Sequence, residues 1–296
     1  MNSAGILAVR ASWIDGRVEN LAVTLKRPTV TRLFIGQLPD AVVKTVPYLY
    51  TLCAEAQRTA ALIAVAAGRE EAPPLPDHRA LWLELLHENL WRLLLDWPVA
   101  VGLPPEKDAF VDWRAGRLGD AALVVTRALL AKTLYPLAEK CLEKLAHRSG
   151  GVAPAASFDA GGWLAYWRGE ADHLPKIQGP SCVAAAYRAR LNDVERAVTA
   201  LAARSPYPFA QAGGQGWGVG QVLTARGILT HAIHVVDDSV ANYRVQAPTD
   251  GFFADAVPLG ALLSERNFAD IDAARQGIEQ AILALDPCLP HELKLD

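Results

Sequence analysis

The sequence predicts an α+β protein with a central helical bundle and small β elements at the N- and C-terminal ends. Three observations predict this class. Residues 1–46 carry short β-branched, alternating stretches, residues 47–204 carry broad apolar helical faces, and residues 205–296 return to alternating patterns before a last helix. We interpret the three regions as parts of a single domain, 1–296.

The N-terminal β region contains three predicted strands, at residues 6–9, 21–25 and 31–35. Turn signals at Asp15-Gly16 and Arg27-Pro28 separate them. A small N-terminal sheet is therefore expected.

The helical bundle begins with two predicted helices. The first covers 43–68 and is rich in alanine. The second covers 77–97, with Asp77 as its N-cap and Pro98 as its end. Both have apolar faces broad enough to pack in a bundle.

Two more helices complete the predicted bundle. One covers 119–147 and should be kinked or split at Tyr135-Pro136, and the other covers 181–204. Between them, residues 149–180 are loop-like and rich in Gly, Ser and Trp, and their structure stays unassigned.

The C-terminal region begins with a glycine-rich segment, 213–220. It leads into a predicted hairpin with strands at 226–236 and 240–246 and a turn at Asp237-Asp238. One more helix is predicted over 268–285.

Composition excludes several classes of function. The 296 residues are 51% hydrophobic, which is enough for a large core. The net charge is −3, and no basic run or basic stripe suits a nucleic acid. The first residues do not resemble a signal peptide, and the apolar runs are about half of the roughly 20 residues that a membrane span needs. We expect a cytoplasmic protein with free thiols that binds neither nucleic acid nor a membrane.

Two cysteines lie where a metal could bind. Cys53 is near the start of a predicted helix, where backbone N–H groups lower the pKa of a thiol and favour a metal-binding thiolate. Cys288 lies three residues before His291, a spacing that lets two side chains reach one metal ion. Structural packing stays open for both, and it is the interpretation we favour for Cys141 and Cys182.

The predicted hairpin carries further candidates. Arg226 could donate up to five hydrogen bonds to an anionic ligand, although an ordinary surface arginine fits the same pattern. His231 and His234 form an HxxH pair, but a strand directs them to opposite faces, so we expect no metal there. Pro248-Thr249 predicts a turn with an available hydroxyl.

Taken in order, these segments resemble the nickel-iron hydrogenase large-subunit family. The family has an RxCGxCxxxH motif, an APRGALxH hairpin, an NYxxxxP-Ser/Thr segment and a terminal DPCxxCxxH motif. Here the corresponding segments read VPYLYTLCAEAQ, TARGILTH, NYRVQAPT and DPCLPHELK. The resemblance runs from residue 46 to the last motif and implies a shortened large-subunit-like fold.

The departures from the family pattern determine what the resemblance implies. Cys53 matches the second cysteine of the first motif, but Tyr50 replaces the first and Gln57 replaces the histidine. Cys288 matches the first cysteine of the last motif, but His291 replaces the second. In the family, four thiolates hold nickel and iron together, and two cannot build that site. The resemblance therefore implies neither nickel binding nor hydrogen turnover.

The residues on the iron side match the family. There, an arginine and a Ser or Thr hydroxyl hydrogen-bond two cyanides on an iron that also carries carbon monoxide. Arg226 and Thr249, which follows Pro248, match these positions. Asp286 matches the aspartate of the DPC motif, and Asp96 loosely matches a second acidic residue near the site.

Within this family the chain resembles the shortened assembly proteins of the HupK/HoxV type. The resemblance implies a non-catalytic scaffold that holds the iron group transiently on Cys53 and Cys288. The implied partners are hydrogenase cofactor-assembly proteins, which deliver the group, and the apo hydrogenase large subunit, which receives it. Two alternatives stay open: a metal-free chaperone that mimics the large subunit, and a zinc site made by Cys53, Cys288 and His291.

Overall fold

Helices occupy the middle of the chain and strands occupy both of its ends. The computed structural model describes residues 5–145, 151 and 153–296. The helices are α1 (Pro39–Leu49), α2 (Ala54–Gly68), α3 (His78–Trp91), α4 (Trp97–Ala100), α5 (Lys107–Gly116), α6 (Ala122–Leu129), α7 (Tyr135–Leu145), α8 (Ala160–Trp167), α9 (Val183–Ala203), α10 (Pro248–Phe252), α11 (Val257–Leu263) and α12 (Ile271–Leu285). The strands are β1 (Ile6–Ile14), β2 (Arg17–Lys26), β3 (Phe209–Gly214), β4 (Trp217–Thr224), β5 (Gly227–Val236), β6 (Ser239–Gln246) and β7 (His291–Leu295). The predicted α+β class is confirmed.

The first sheet joins the N-terminal and C-terminal segments of the chain. β1 and β2 form an antiparallel hairpin around the predicted turn at Asp15 and Gly16, which both have positive φ. β7 pairs in parallel with the other edge of β1, residues 291–295 beside residues 7–11. Because β1 is central, the DPC tail before β7 is brought close to the segment that follows β2.

The prediction of a third strand at residues 31–35 is wrong. Val30–Phe34 forms a short 3₁₀-helix, and α1 begins at Pro39, inside the region that we expected to be β. The Phe34 ring is buried against Tyr243, with 5.1 Å between ring centroids. This contact with a distant strand fixes the segment, and β-branched composition alone does not reveal it.

The second predicted helix begins at the expected cap but continues past Pro98. Asp77 accepts a backbone hydrogen bond as its N-cap. A π-helical turn, Arg92–Asp96, then joins α3 to α4. Pro98 has no N–H for the carbonyl of Leu94, which instead accepts one from Glu106 at 2.8 Å. Pro98 therefore lies within the helical segment, and the prediction that the helix ends at Pro98 was wrong.

The third predicted helix is interrupted where Tyr135-Pro136 indicated. A π-helical turn, Leu130–Leu134, separates α6 from α7, and Ala146 and His147 of the prediction lie outside the described residues. The fourth and last predicted helices are confirmed as α9 and α12, although α12 begins three residues late, at Ile271. Part of the unassigned stretch 149–180 forms α8.

The glycine-rich segment 213–220 contributes to two strands that the sequence did not predict. β3 and β4 precede the predicted hairpin, which is confirmed as β5 and β6, and the four strands form an antiparallel meander. Helix α2 lies against this sheet with its backbone close to β4. A Cβ on Gly218 would lie 2.0 Å from the carbonyl oxygen of Ala64, and one on Gly220 would lie 2.2 Å from that of Ala60. The glycines are therefore required by packing.

The first predicted helix is two helices, because α2 has its own N-terminal support. Glu84 on α3 accepts hydrogen bonds from the N–H groups of Glu55, at 2.8 Å, and Ala56, at 2.9 Å. These donors belong to the first turn of α2, where a helix leaves its N–H groups unpaired. The support fixes the start of α2 directly after Cys53.

Gly218→Ala is expected to destabilise the fold, because the new methyl group overlaps the α2 backbone. Overpacking of this kind costs about 1–3 kcal/mol or more in free energy of unfolding. Gly161→Ala is the matched control. Its Cβ meets none of the described atoms within 4 Å, and alanine in helix α8 should stabilise by up to about 1 kcal/mol. Urea unfolding measures both, and equal effects would contradict the close packing of α2 on β4.

Glu84 should make stability depend on pH near neutrality. Burial raises the pKa of Glu84 from 4.5 to about 7, although its two N–H donors act in the opposite direction. Since the folded chain holds this proton more tightly than the unfolded chain, the contribution to stability falls as pH rises from about 4.5 to about 7. Glu84→Gln cannot ionise and should lose this slope. Urea unfolding at a series of pH values tests the difference between the two proteins, and a constant difference would contradict the assignment.

Candidate functional site

The predicted site residues surround one cavity with a volume of about 1300 Å³. It lies between the segment after β2, the start of α2, the π-helical turn after α3, and α12 with its tail. The predicted residues in its lining are Cys53, Asp96, Arg226, Pro248, Asp286, Cys288 and His291. Thr249 is fully buried and reaches the cavity through its contact with Cys288.

Asp286 is the centre of a buried ion-pair network. It follows α12 with φ 48° and is 1% exposed. Its carboxylate accepts from Arg92 Nε at 2.8 Å and from Arg190 Nη2 at 2.6 Å, and Arg226 Nε lies 3.3 Å away. Burial alone would raise the pKa of Asp286, but the three guanidinium charges outweigh it and hold the pKa well below its ordinary value. Asp286 is therefore a structural anion.

Arg226 extends into the site from the tight turn between β4 and β5. Thr224 Oγ1 accepts a hydrogen bond from the backbone N–H of Arg226 and donates one to the carbonyl of Gly227. Gly227 has a φ of 129°. Arg226 Nη2 donates to Glu88 at 2.9 Å. Its Nη1 and Nε are buried and have no hydrogen-bond partner among the described residues. A buried, unpaired N–H on a charged group is costly. Since Nε lies beside the Asp286 carboxylate, Nη1 is the atom that suits an acceptor on a ligand in the cavity.

Cys288 accepts hydrogen bonds from two side chains. The hydroxyl of Thr249 accepts from the Cys288 N–H at 3.2 Å and donates to its sulfur at 3.3 Å. Arg27 Nη2 donates to the same sulfur at 2.6 Å, and Arg27 Nε lies 3.3 Å from Asp250. The hydroxyl of Thr249 is thus directed at the thiol.

Arg27 is a site residue that sequence reasoning missed, as it missed Arg92 and Arg190 around Asp286. In the sequence, Arg27-Pro28 indicates only a turn after the second strand. Its position beside Cys288 depends on the pairing of β1 with β7. No local pattern around Arg27 marks that long-range contact.

Cys53 lies at the N-cap of α2, as expected, but its ionisation differs from the expectation. Burial raises the pKa of Cys53 to about 12, and the nearby charge of Arg226 lowers it by less. The expected low pKa at the helix N-terminus was wrong, because desolvation outweighs the helix. A metal ion that binds this sulfur would displace its proton. Gln57 Nε2 donates to the sulfur at 3.6 Å.

The remaining candidates, His291 and Asp96, each pair with an oppositely charged or hydrogen-bonding side chain and not with the two cysteines. His291 begins β7, its side chain is 32% exposed, and its Nε2 lies 2.7 Å from Glu279. Asp96 pairs with Arg92. Over residues 5–145, 151 and 153–296, no group of three His, Cys, Asp or Glu side chains is arranged to hold a metal ion. The zinc alternative of two cysteines and His291 therefore has no assembled ligand set here.

Cys141 and Cys182 lie in the core, as the sequence interpretation favoured, and His231 and His234 lie in different surroundings. Cys141 and Cys182 are buried, and all four cysteines are free thiols. His231 is fully buried, whereas His234 stacks on Trp217 with 4.4 Å between ring centroids. The two histidines thus have separate surroundings.

The helices of the described residues include none that combines the length and the apolar character required to cross a membrane.

The fold resembles that of the hydrogenase large subunit. The Ni-Fe-Se hydrogenase from Desulfovibrio vulgaris Hildenborough in its reduced state matches with a TM-score of 0.61 and 13% identity, over 93% of this chain and 94% of that one. The reduced, active Ni-Fe-Se hydrogenase from Desulfomicrobium baculatum matches with a TM-score of 0.60 and 11% identity, over 93% and 94%. At these identities the likeness concerns the fold alone.

Sequence comparison identifies full-length relatives, although no family profile matches the chain. The hydrogenase expression/formation protein HupK of Azotobacter vinelandii is 31% identical, and HupV of Azotobacter chroococcum mcd 1 is 30% identical, each over 99% of both chains. HoxV of Cupriavidus necator, with the same description, is 27% identical over 99% of this chain and 97% of its own. Near-complete coverage at this identity establishes that the chain belongs to the HupK/HoxV family of hydrogenase expression/formation proteins.

Proposed function

We propose that the chain is a non-catalytic carrier in nickel-iron hydrogenase maturation. Its cargo is an iron that carries two cyanides and one carbon monoxide. It receives this group from the cofactor-assembly proteins and passes it to the apo large subunit. The observation that carries the proposal is the arrangement of two thiols, Cys53 and Cys288, and the partly unpaired Arg226 around one cavity.

The chemistry of these side chains fits such a cargo. Thiolates are soft ligands that bind iron well. The nitrogen of a bound cyanide accepts hydrogen bonds, and Arg226 has a buried N–H without an acceptor among the described residues. A hydrogen bond to a charged group contributes about 1.5–3 kcal/mol. Arg226 therefore supplies both charge and geometry for a cyanide ligand.

The charges around the cavity also fit. Ferrous iron with two cyanides is neutral, so two thiolates give the bound group two negative charges. Arg27 donates to Cys288, and Arg226 interacts electrostatically with both thiols. These guanidinium groups stabilise the negative charge of the bound complex.

The missing ligands support transfer over catalysis. Tyr50 and His291 stand where the family has its other two cysteines, and His291 is paired with Glu279. Two thiolates hold a metal less tightly than four, which suits a protein that must release its cargo. The relatives named as expression/formation proteins support the same role in assembly.

Infrared spectroscopy tests the cargo directly. Protein purified anaerobically from its native host should show bands of metal-bound cyanide and carbon monoxide. Cys53→Ala and Cys288→Ala should each abolish these bands, because each removes one of two iron ligands. Cys182→Ala, a buried thiol outside the cavity, is the matched control and should retain them.

Metal analysis and hydrogenase maturation distinguish the alternatives. A silent spectrum with normal maturation in the Cys53→Ala and Cys288→Ala strains supports the metal-free chaperone. Stoichiometric zinc without iron supports a zinc protein. Either result overturns the carrier function.

Arg226→Lys should weaken the hold on the cargo. Lysine retains the positive charge, but its single nitrogen cannot replace the separate guanidinium nitrogens that reach Glu88, Asp286 and a cyanide. The loss of one charge-assisted hydrogen bond, about 1.5–3 kcal/mol, predicts release of the iron group roughly 10- to 100-fold faster. The decay of the infrared bands during transfer to a chelator measures this rate. Arg190→Lys is the matched control, since Arg190 also binds Asp286 but lies outside the cavity lining. Equal acceleration in both variants would contradict a direct contact with Arg226.

A further inference from the structure

A buried chain of hydrogen bonds leads from Cys53 to the second sheet. Gln57 Nε2 contacts Cys53 Sγ at 3.6 Å, and Gln57 Oε1 contacts His231 Nε2 at 2.9 Å. On the other side of the imidazole, His231 Nδ1 lies 2.5 Å from the hydroxyl of Tyr243. Gln57, His231 and Tyr243 are each at most 3% exposed. The chain joins α2, β5 and β6 and ends at a sulfur of the site.

The donors and acceptors of these hydrogen bonds can be arranged in only two ways, with the N–H and O–H groups directed either toward Cys53 or toward Tyr243. A neutral imidazole has one N–H and one acceptor nitrogen, so the group that donates to it on one side determines what it donates on the other. Burial lowers the pKa of His231 to about 3, which keeps the ring neutral. If Tyr243 donates to Nδ1, then Nε2–H donates to Gln57 Oε1, and the Gln57 amide directs its N–H at Cys53.

The opposite direction requires a thiol proton. In that case Cys53 S–H would donate to the Gln57 carbonyl, and the Gln57 N–H would donate to His231 Nε2. A metal-bound sulfur has no proton and can only accept. Only the direction that runs from Tyr243 to Cys53 is therefore compatible with a bound metal, and it is the direction in which the Gln57 amide lies in the structure.

We propose that Gln57, His231 and Tyr243 are positioning residues that present an N–H donor to the sulfur of Cys53 and so hold it as an acceptor and a metal ligand. The proposal rests on the proposed function for its cargo. The direction of the hydrogen bonds from Tyr243 to Cys53 is a property of the protein alone. Groups that hydrogen-bond a metal ligand fix its orientation and tune the metal. An N–H donor on the sulfur reduces the electron density that the sulfur gives to iron.

Tyr243→Phe tests the chain at the end remote from the sulfur. It removes only the hydroxyl that donates to His231, so Nε2 is no longer favoured as the protonated nitrogen. Tyr207→Phe is the matched control, because its buried hydroxyl donates to the carbonyl of Leu223 and not to His231. Gln57→Leu removes the donor at the sulfur itself, and Gln57→His offers another N–H in its place.

Two readouts separate the positioning chain from the carrier function. In cargo-free protein labelled with ¹⁵N-histidine, His231 should be protonated on Nε2 in the wild type and in Tyr207→Phe, and should lose that preference in Tyr243→Phe. In cargo-loaded protein, the carbon monoxide band should move to lower wavenumber in Tyr243→Phe and further in Gln57→Leu, because the sulfur then donates more electron density to iron. Gln57→His should return the band toward its wild-type position.

A wild-type His231 protonated on Nδ1 would overturn the positioning chain even if the cargo is present. An unmoved carbon monoxide band in loaded Gln57→Leu would overturn it as well. A wild-type protein without any carbon monoxide or cyanide band would overturn the carrier function, and the tautomer of His231 would still decide the direction of the chain.

Discussion

The arrangement of the cavity depends on the ion pairs of the Asp286 carboxylate. This carboxylate joins arginines from three parts of the chain: Arg92 after α3, Arg190 in α9 and Arg226 before β5. Removing one partner of a buried ion pair leaves an uncompensated charge and costs about 3–5 kcal/mol. The left-handed conformation of Asp286 ends α12 and turns the chain toward Cys288. One residue thus fixes both the bundle and the tail.

The π-helical turn between α3 and α4 places Arg92 where this network requires it. It begins at Arg92 and ends at Asp96, which pair with each other, and both line the cavity. A π-turn adds a residue to the helix and rotates the next helical segment about the axis, and such turns often occur at functional sites. Pro98 helps to explain its position, because the missing N–H leaves the carbonyl of Leu94 free for Glu106. Sequence periodicity predicted the helix but not this local rearrangement.

Caps and apolar periodicity, which are local signals, predicted the positions of the long helices α3, α9 and α12. The meeting of the ordered motifs at one site was implied by the resemblance to the hydrogenase large-subunit family. The sequence did not predict β7, the strands formed by the glycine-rich segment, or the role of Arg27. Those features depend on pairing with distant residues, β1 in two cases and α2 in the other. The raised pKa of Cys53 was missed for a related reason, since burial by distant residues outweighs the local helix N-terminus.

Under the proposed function, the charges of the cavity also select its cargo. A bare divalent cation placed near Cys53 and Cys288 meets the guanidinium groups of Arg27 and Arg226, which repel it. An iron that brings two cyanides forms an anionic complex with the two thiolates, and the same guanidinium groups attract it. A carrier with two thiolates and flanking arginines therefore favours a group that is already assembled, which suits a step between cofactor synthesis and insertion.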